Sequence, residues 1–134
     1  MRRALLALGL ALGGLGLFAG GLAWILTDPR PPAGASRGER LYVSFCASCH
    51  GLDGRGSWRA ALFLIRPGDL TTTTSQPDQY VFDIIKHGGA SIGRPGMPAF
   101  GAQLSDDDIR ALVAYLQTLR AGRSASASSR STPG

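Results

Sequence analysis

The chain has 134 residues, which leaves room for one compact domain with flanking segments at roughly 150 residues per domain and excludes a second catalytic domain. Between Gly38 and Ala121 eight basic residues balance eight acidic ones, so the whole formal charge of +5 comes from Arg2, Arg3, Arg30, Arg37, Arg123 and Arg130 against Asp28. A folded part without net charge removes the basic surface on which nucleic-acid binding depends.

Ala4 to Leu26 form a run of 23 residues without a charge, preceded by Arg2 and Arg3 and followed by Asp28, Pro29, Pro31 and Pro32. As a helix this run would extend about 34 Å, against a hydrocarbon core of about 30 Å. Residues 1–27 are therefore expected to be an uncleaved transmembrane anchor, with the arginines on the cytoplasmic side and everything after Thr27 outside. A cleaved signal peptide is the alternative, but its apolar region is typically about 7 to 15 residues long and Gly21-Leu22-Ala23 is a poor cleavage site. Residues 28–37 read as a Pro/Gly linker, a tether of about 15 to 20 Å if flexible.

The folded domain is expected over residues 38–121. Ser36-Arg37-Gly38-Glu39 fits a capping box, and Leu41, Tyr42, Phe45 and Cys49 continue at helical spacing, predicting a first helix to about Cys49. A shorter helix is expected from Pro77 to His87, with Val81, Ile84 and Ile85 facing inward and Gly88-Gly89 ending it. Ser105 followed by three aspartates marks a third start, and Ile109, Leu112, Val113, Leu116 and Leu119 form the apolar face that follows, with a stop at Arg120 and Gly122. No strand is evident, so the fold class is all-α. Residues 51–76 and 88–104 are left as long loops, longer than a compact domain leaves unfilled. The Ser-, Ala-, Gly- and Arg-rich stretch 122–134 reads as a disordered tail.

The chemistry lies in Cys46-Ala47-Ser48-Cys49-His50, the spacing of c-type haem attachment. Residues three apart share one face at a helix end, so both sulfurs can reach the vinyl groups of one haem edge while His50 turns its imidazole to the iron. A disulfide, a thioredoxin-like redox pair or half a zinc site are the competing readings. The redox pair lacks a βαβ setting, and the zinc site lacks ligands beyond His87. A second axial ligand is expected from Met97, held in Pro95-Gly96-Met97-Pro98, where flanking prolines stiffen the loop. His87 is its rival, although its place at a helix end suits a dipole partner equally well.

These residues resemble the small class I c-type cytochromes of bacterial periplasms, over about Gly38 to Leu119. The resemblance implies an all-α globule wrapped around one covalently bound haem c, with Cys46 and Cys49 as thioether attachments and His50 and Met97 as axial iron ligands. It further implies that the first and last helices cross at a glycine, matched by Gly38 with Tyr42, against Leu112 and Tyr115 on the last helix. In that family a proline carbonyl accepts the ring N–H of the proximal histidine, and Pro67 is the candidate. Trp58, Leu62, Phe63 and Ile65 read as haem-packing residues or as ordinary core. Arg55, Arg59, Lys86 and Arg94 read as a ring around a haem edge that would steer a partner, or as solvated surface.

The expected function is electron transfer by a membrane-tethered monohaem cytochrome, passing single electrons between redox protein partners, with the haem domain on the periplasmic side of a bacterial inner membrane. No general acid–base constellation accompanies the motif, so no enzymatic activity is expected. The alternative is a haem enzyme or gas sensor, which would need a sixth iron position that can be vacated.

Overall fold

A computed structural model describes residues 2–27, 29–62, 64–72 and 76–130, with 124–130 as backbone. Among these residues there are six α-helices, one short 3-10 turn and no strand. Helix α1 spans Arg2–Leu26, α2 Arg37–Phe45, α3 Ala47–His50, α4 Trp58–Leu62, α5 Asp78–His87 and α6 Asp106–Arg130. None of the residues of α1 is buried, and it is long and apolar enough to cross a membrane.

Helices α2 and α6 cross at close quarters and organise the domain. The crossing depends on Gly38, because a Cβ there would meet the Ala111 carbonyl oxygen and the Tyr115 Cβ at distances no packed atom tolerates. One turn later the Tyr42 and Tyr115 rings meet with centroids 5.2 Å apart. Tyr42, Ile109 and Leu112 are fully enclosed, and Ile85, Leu104, Val113 and Leu116 complete the core. Ser36 and Ser105 cap the two helices. Ser36 Oγ accepts from the Glu39 N–H at 3.1 Å, and Ser105 and Asp108 exchange side-chain and backbone hydrogen bonds at the start of α6. An Arg37–Asp108 ion pair at 2.7 Å ties the two helix starts together.

Four expectations change. The single first helix is two, because the backbone bends at Cys46 (φ −114°) before α3 begins. Residues 51–76 and 88–104 are not wholly loop: they hold α4 and a 3-10 turn at Ala90–Ile92. Helix α6 does not stop at Gly122 but continues to Arg130. An interior glycine costs a helix only about 1 kcal/mol, and Arg123, one residue on, bonds Asp69 Oδ2 at 2.9 Å and Thr71 Oγ1 at 2.6 Å, which holds the extension against the domain. Pro133 and the other residues of the expected tail beyond 130 lie outside the described part.

The segment after Thr27 is also no free tether. Trp24, in the last turn of α1, stacks on Trp58 of α4 at 5.6 Å and 14°. Ala35 is buried, with its N–H on the Pro32 carbonyl, and the Arg40 guanidinium donates to the Ala35 carbonyl.

Candidate haem site

Cys46, Cys49 and His50 stand on one turn, and the surrounding loop satisfies the backbone groups that this turn leaves open. The last carbonyls of a helix have no partner within it. Here the Gly56 N–H bonds the His50 carbonyl at 2.7 Å, the Ser57 N–H bonds the Cys49 carbonyl at 2.8 Å, and the Tyr42 hydroxyl donates to the Gly51 carbonyl at 2.7 Å. Gly51 makes the reversal with φ +75°, and a Cβ there would meet the Gly56 carbonyl oxygen at 2.8 Å. Both thiols are unbonded and half-buried. Burial, with the neighbouring Cys49 second, pushes the Cys46 thiol up to about 12, so as a free group it stays protonated.

The His50 ring is oriented from behind. Its Nδ1 lies 3.3 Å from the Gly68 carbonyl oxygen, an acceptor, so the contact favours the tautomer with the hydrogen on Nδ1 and the lone pair on Nε2. Burial lowers the proton affinity of the ring; the Gly68 bond opposes this and the Arg94 charge adds to it, leaving the imidazole below the ordinary histidine value. The carbonyl used belongs to Gly68 and not to Pro67. The Pro67 ring instead faces Gly56, with its Cγ 3.8 Å from where a Gly56 Cβ would stand, so proline stiffens the approach and the next peptide presents the oxygen.

The Met97 loop is fastened to the same neighbourhood at several points. The Gly89 N–H bonds the Met97 carbonyl at 3.0 Å, and the Met97 N–H bonds the Arg94 carbonyl at 3.1 Å. Gly88 and Gly89 allow this closeness: a Cβ on Gly89 would come 2.5 Å from the Arg94 oxygen and 3.0 Å from the Met97 Cβ. Phe100 and Gly101 donate to the Ile85 and Lys86 carbonyls at the end of α5. Phe100 meets Phe45, the residue before Cys46, edge to face at 6.0 Å. The Arg94 guanidinium lies 3.1 Å from where a Gly68 Cβ would stand, and Ile65 packs at 3.7 Å from the same point on Gly96. Thus the loop behind His50 and the loop bearing Met97 touch, and Met97 is half-buried against the core.

His87 is exposed at the end of α5, where its charge acts on Asp106. Of the expected haem-packing residues, Ile65 lies at this junction, while Trp58 and Leu62 are exposed on α4; Phe63 lies outside the described residues. Of the basic residues expected around a haem edge, Lys86 pairs with Asp106 at 2.8 Å and Arg55 with Asp53 at 3.8 Å, while Arg94 reaches Gly68 behind His50. Beside Cys49 a cavity of about 270 Å³ is lined by Ile25, Leu26, Arg59, Ala60, Leu62 and Ile65. Among the described residues no group of three or more His, Cys, Asp or Glu side chains could hold a metal ion. Two thiols and an imidazole with an oriented ring share one turn, and one of those thiols, Cys49, borders an apolar cavity; this donor set fits a thioether-bound haem.

Residues 33–116 match the family described as cytochrome c oxidase, cbb3-type, subunit III. A similar curated protein is the Cbb3-type cytochrome c oxidase subunit FixP of Azorhizobium caulinodans, 28% identical over 101 residues, which cover 71% of this chain and 30% of that protein. The chain thus spans less than a third of the length of the relative it matches.

Proposed function

The chain belongs to the cbb3-type cytochrome c oxidase subunit III family, and from that membership we propose that it binds one haem c through Cys46 and Cys49, with His50 and Met97 as axial ligands. The observation that carries the reading is the His50 ring, standing on the Cys46–Cys49 turn with Nδ1 held by the Gly68 carbonyl. That bond selects the tautomer and ring orientation in which Nε2 can serve iron.

When bound, the haem supplies one-electron redox chemistry. The chain's own residues do the rest. His50 and Met97 would hold the iron from both sides, which would leave no place for substrate or gas, and the Met97 thioether would raise the reduction potential. The fastening of the Met97 loop through Gly88, Gly89 and Phe100 would hold Met97 in place for that role. Arg94 brings a positive charge near His50, which favours the reduced state. The protein is accordingly a membrane-anchored electron-transfer cytochrome, with redox proteins as donor and acceptor. The Arg2-Arg3 pair at the start of α1 supports a haem domain on the periplasmic side of a bacterial inner membrane.

The test is the visible spectrum of the membrane-extracted protein, oxidised and reduced, with carbon monoxide added to the reduced sample. A low-spin c-type spectrum indifferent to carbon monoxide is expected. A high-spin or carbon-monoxide-responsive spectrum would mean an open iron site and would replace electron transfer by gas binding or catalysis.

A further inference from the structure

Helix α1 has 25 residues, about 37 Å at 1.5 Å per residue, which exceeds a hydrocarbon core of about 30 Å. Trp24, in its last turn, therefore falls at the boundary between acyl chains and headgroups, the level at which tryptophan is enriched in membrane proteins. Helix α4 is attached at that level. Trp58 stacks on Trp24, and the Arg59 guanidinium donates to the Trp24 carbonyl at 3.1 Å and to the Thr27 carbonyl at 2.6 Å. A cation on the last carbonyls of a helix meets both their open hydrogen-bonding capacity and the negative end of the dipole.

What α4 presents around this attachment is apolar. Trp58, Ala61 and Leu62 lie at i, i+3 and i+4, one face of the helix, and all are exposed, while Ala60 on the other side is buried. Beyond the helix Leu64 is 93% exposed and adopts φ +57°, a left-handed conformation unfavourable for leucine. An outward leucine and an exposed tryptophan are poor surfaces for water, and Trp58 is continuous with a helix long and apolar enough to cross a membrane.

We propose that Trp58, Ala61, Leu62 and Leu64 form a membrane-contact surface, seated in the headgroup–acyl boundary of the phospholipid bilayer that α1 crosses. The contact rests on the reading of α1 as a membrane anchor. It makes the haem domain a body docked on the membrane in one orientation, not one swinging on a ten-residue tether. Because Ile25, Leu26 and Leu62 line the cavity beside Cys49, the docked orientation turns that side of the site toward the bilayer.

The experiment places a nitroxide on Leu64→Cys in the full haem-loaded chain, reconstituted in phosphatidylcholine–phosphatidylglycerol vesicles and kept reduced so that low-spin iron is diamagnetic. Gln79→Cys on α5 is the reference site. Vesicle flotation first reports whether the chain is anchored, and protein recovered away from the vesicles overturns the anchor and this contact together. In floated protein, collisions with oxygen are expected to exceed those with a water-soluble nickel complex at Leu64→Cys, and the reverse at Gln79→Cys. Adding Trp58→Ala should return the Leu64→Cys label to the aqueous pattern while leaving flotation and the haem spectrum unchanged. A water-exposed label at Leu64→Cys in floated protein overturns the contact. So does a label shielded from both relaxants, which would mean that protein, a second copy or another partner, covers the segment.

Discussion

The carbonyl oxygen of Ala111 lies 2.1 Å from the point where a Cβ on Gly38 would stand. That oxygen belongs to the backbone of α6 and cannot rotate away, so a side chain at position 38 can be accommodated only by separating α2 from α6. Gly38→Ala is therefore expected to destabilise the haem-loaded protein by about 3 kcal/mol, the upper end of ordinary overpacking. Denaturant unfolding followed by helical circular dichroism measures it, and an unchanged midpoint would contradict the close crossing.

Tyr42 is fully buried, and its hydroxyl donates to the Gly51 carbonyl directly after the Cys46–His50 turn. Burial, more than any neighbouring charge, raises its proton affinity above that of an ordinary tyrosine, so it remains a donor throughout the accessible pH range. Tyr42→Phe keeps the ring against Tyr115 but strands the carbonyl, with an expected loss of about 1–3 kcal/mol. Retention of full stability would show that the carbonyl finds another donor.

Met97 and His87 separate in one comparison. Met97→Ala should open the sixth iron position and allow the reduced protein to bind carbon monoxide, while His87→Ala should leave the spectrum as it is, since His87 is exposed beside Asp106. Carbon monoxide binding that appears with His87→Ala and not with Met97→Ala would transfer the ligand role.

Replacing Cys46 or Cys49 with alanine should weaken covalent retention of haem. Haem staining on a denaturing gel reads this directly. Undiminished staining in both variants would contradict attachment through this pair.

Three aspartates are held below the ordinary value of 3.8: Asp69 first by the Thr71 hydroxyl, Asp106 by the Lys86 ammonium and Asp108 by the Ser105 hydroxyl. A carboxylate whose affinity for protons falls on folding contributes stability that is fully present above its unfolded value and lost as pH falls through the folded one. The thermal midpoint should thus be level above pH about 5 and fall below about 4. Asp69→Asn should reduce the midpoint at neutral pH and make the acid limb shallower, because it removes the Arg123 pair that holds the end of α6. A parallel acid limb in the variant would remove Asp69 from that account.

What could be read along the chain is what neighbouring residues settle among themselves. The Cys46–His50 spacing, the Ser36 and Ser105 caps, the apolar face of α6 and the length of the apolar run at the N-terminus are all local, and a helix states its own face through its period. Gly38 was legible only through a family resemblance, since nothing near it in the chain asks for a glycine. The tertiary structure decided which peptide orients His50: Gly68 and Pro67 are adjacent, and only closure of the loop determines which carbonyl faces the ring. It likewise decided that α6 runs past Gly122, because Arg123 meets Asp69 across 54 positions of sequence, and that the end of α1 is tied to α4, because Arg59 finds the Trp24 and Thr27 carbonyls over separations of 35 and 32 residues. Local propensity fixes the helices and the chemistry they carry, whereas bonds between distant loops exist only once packing has brought them within reach.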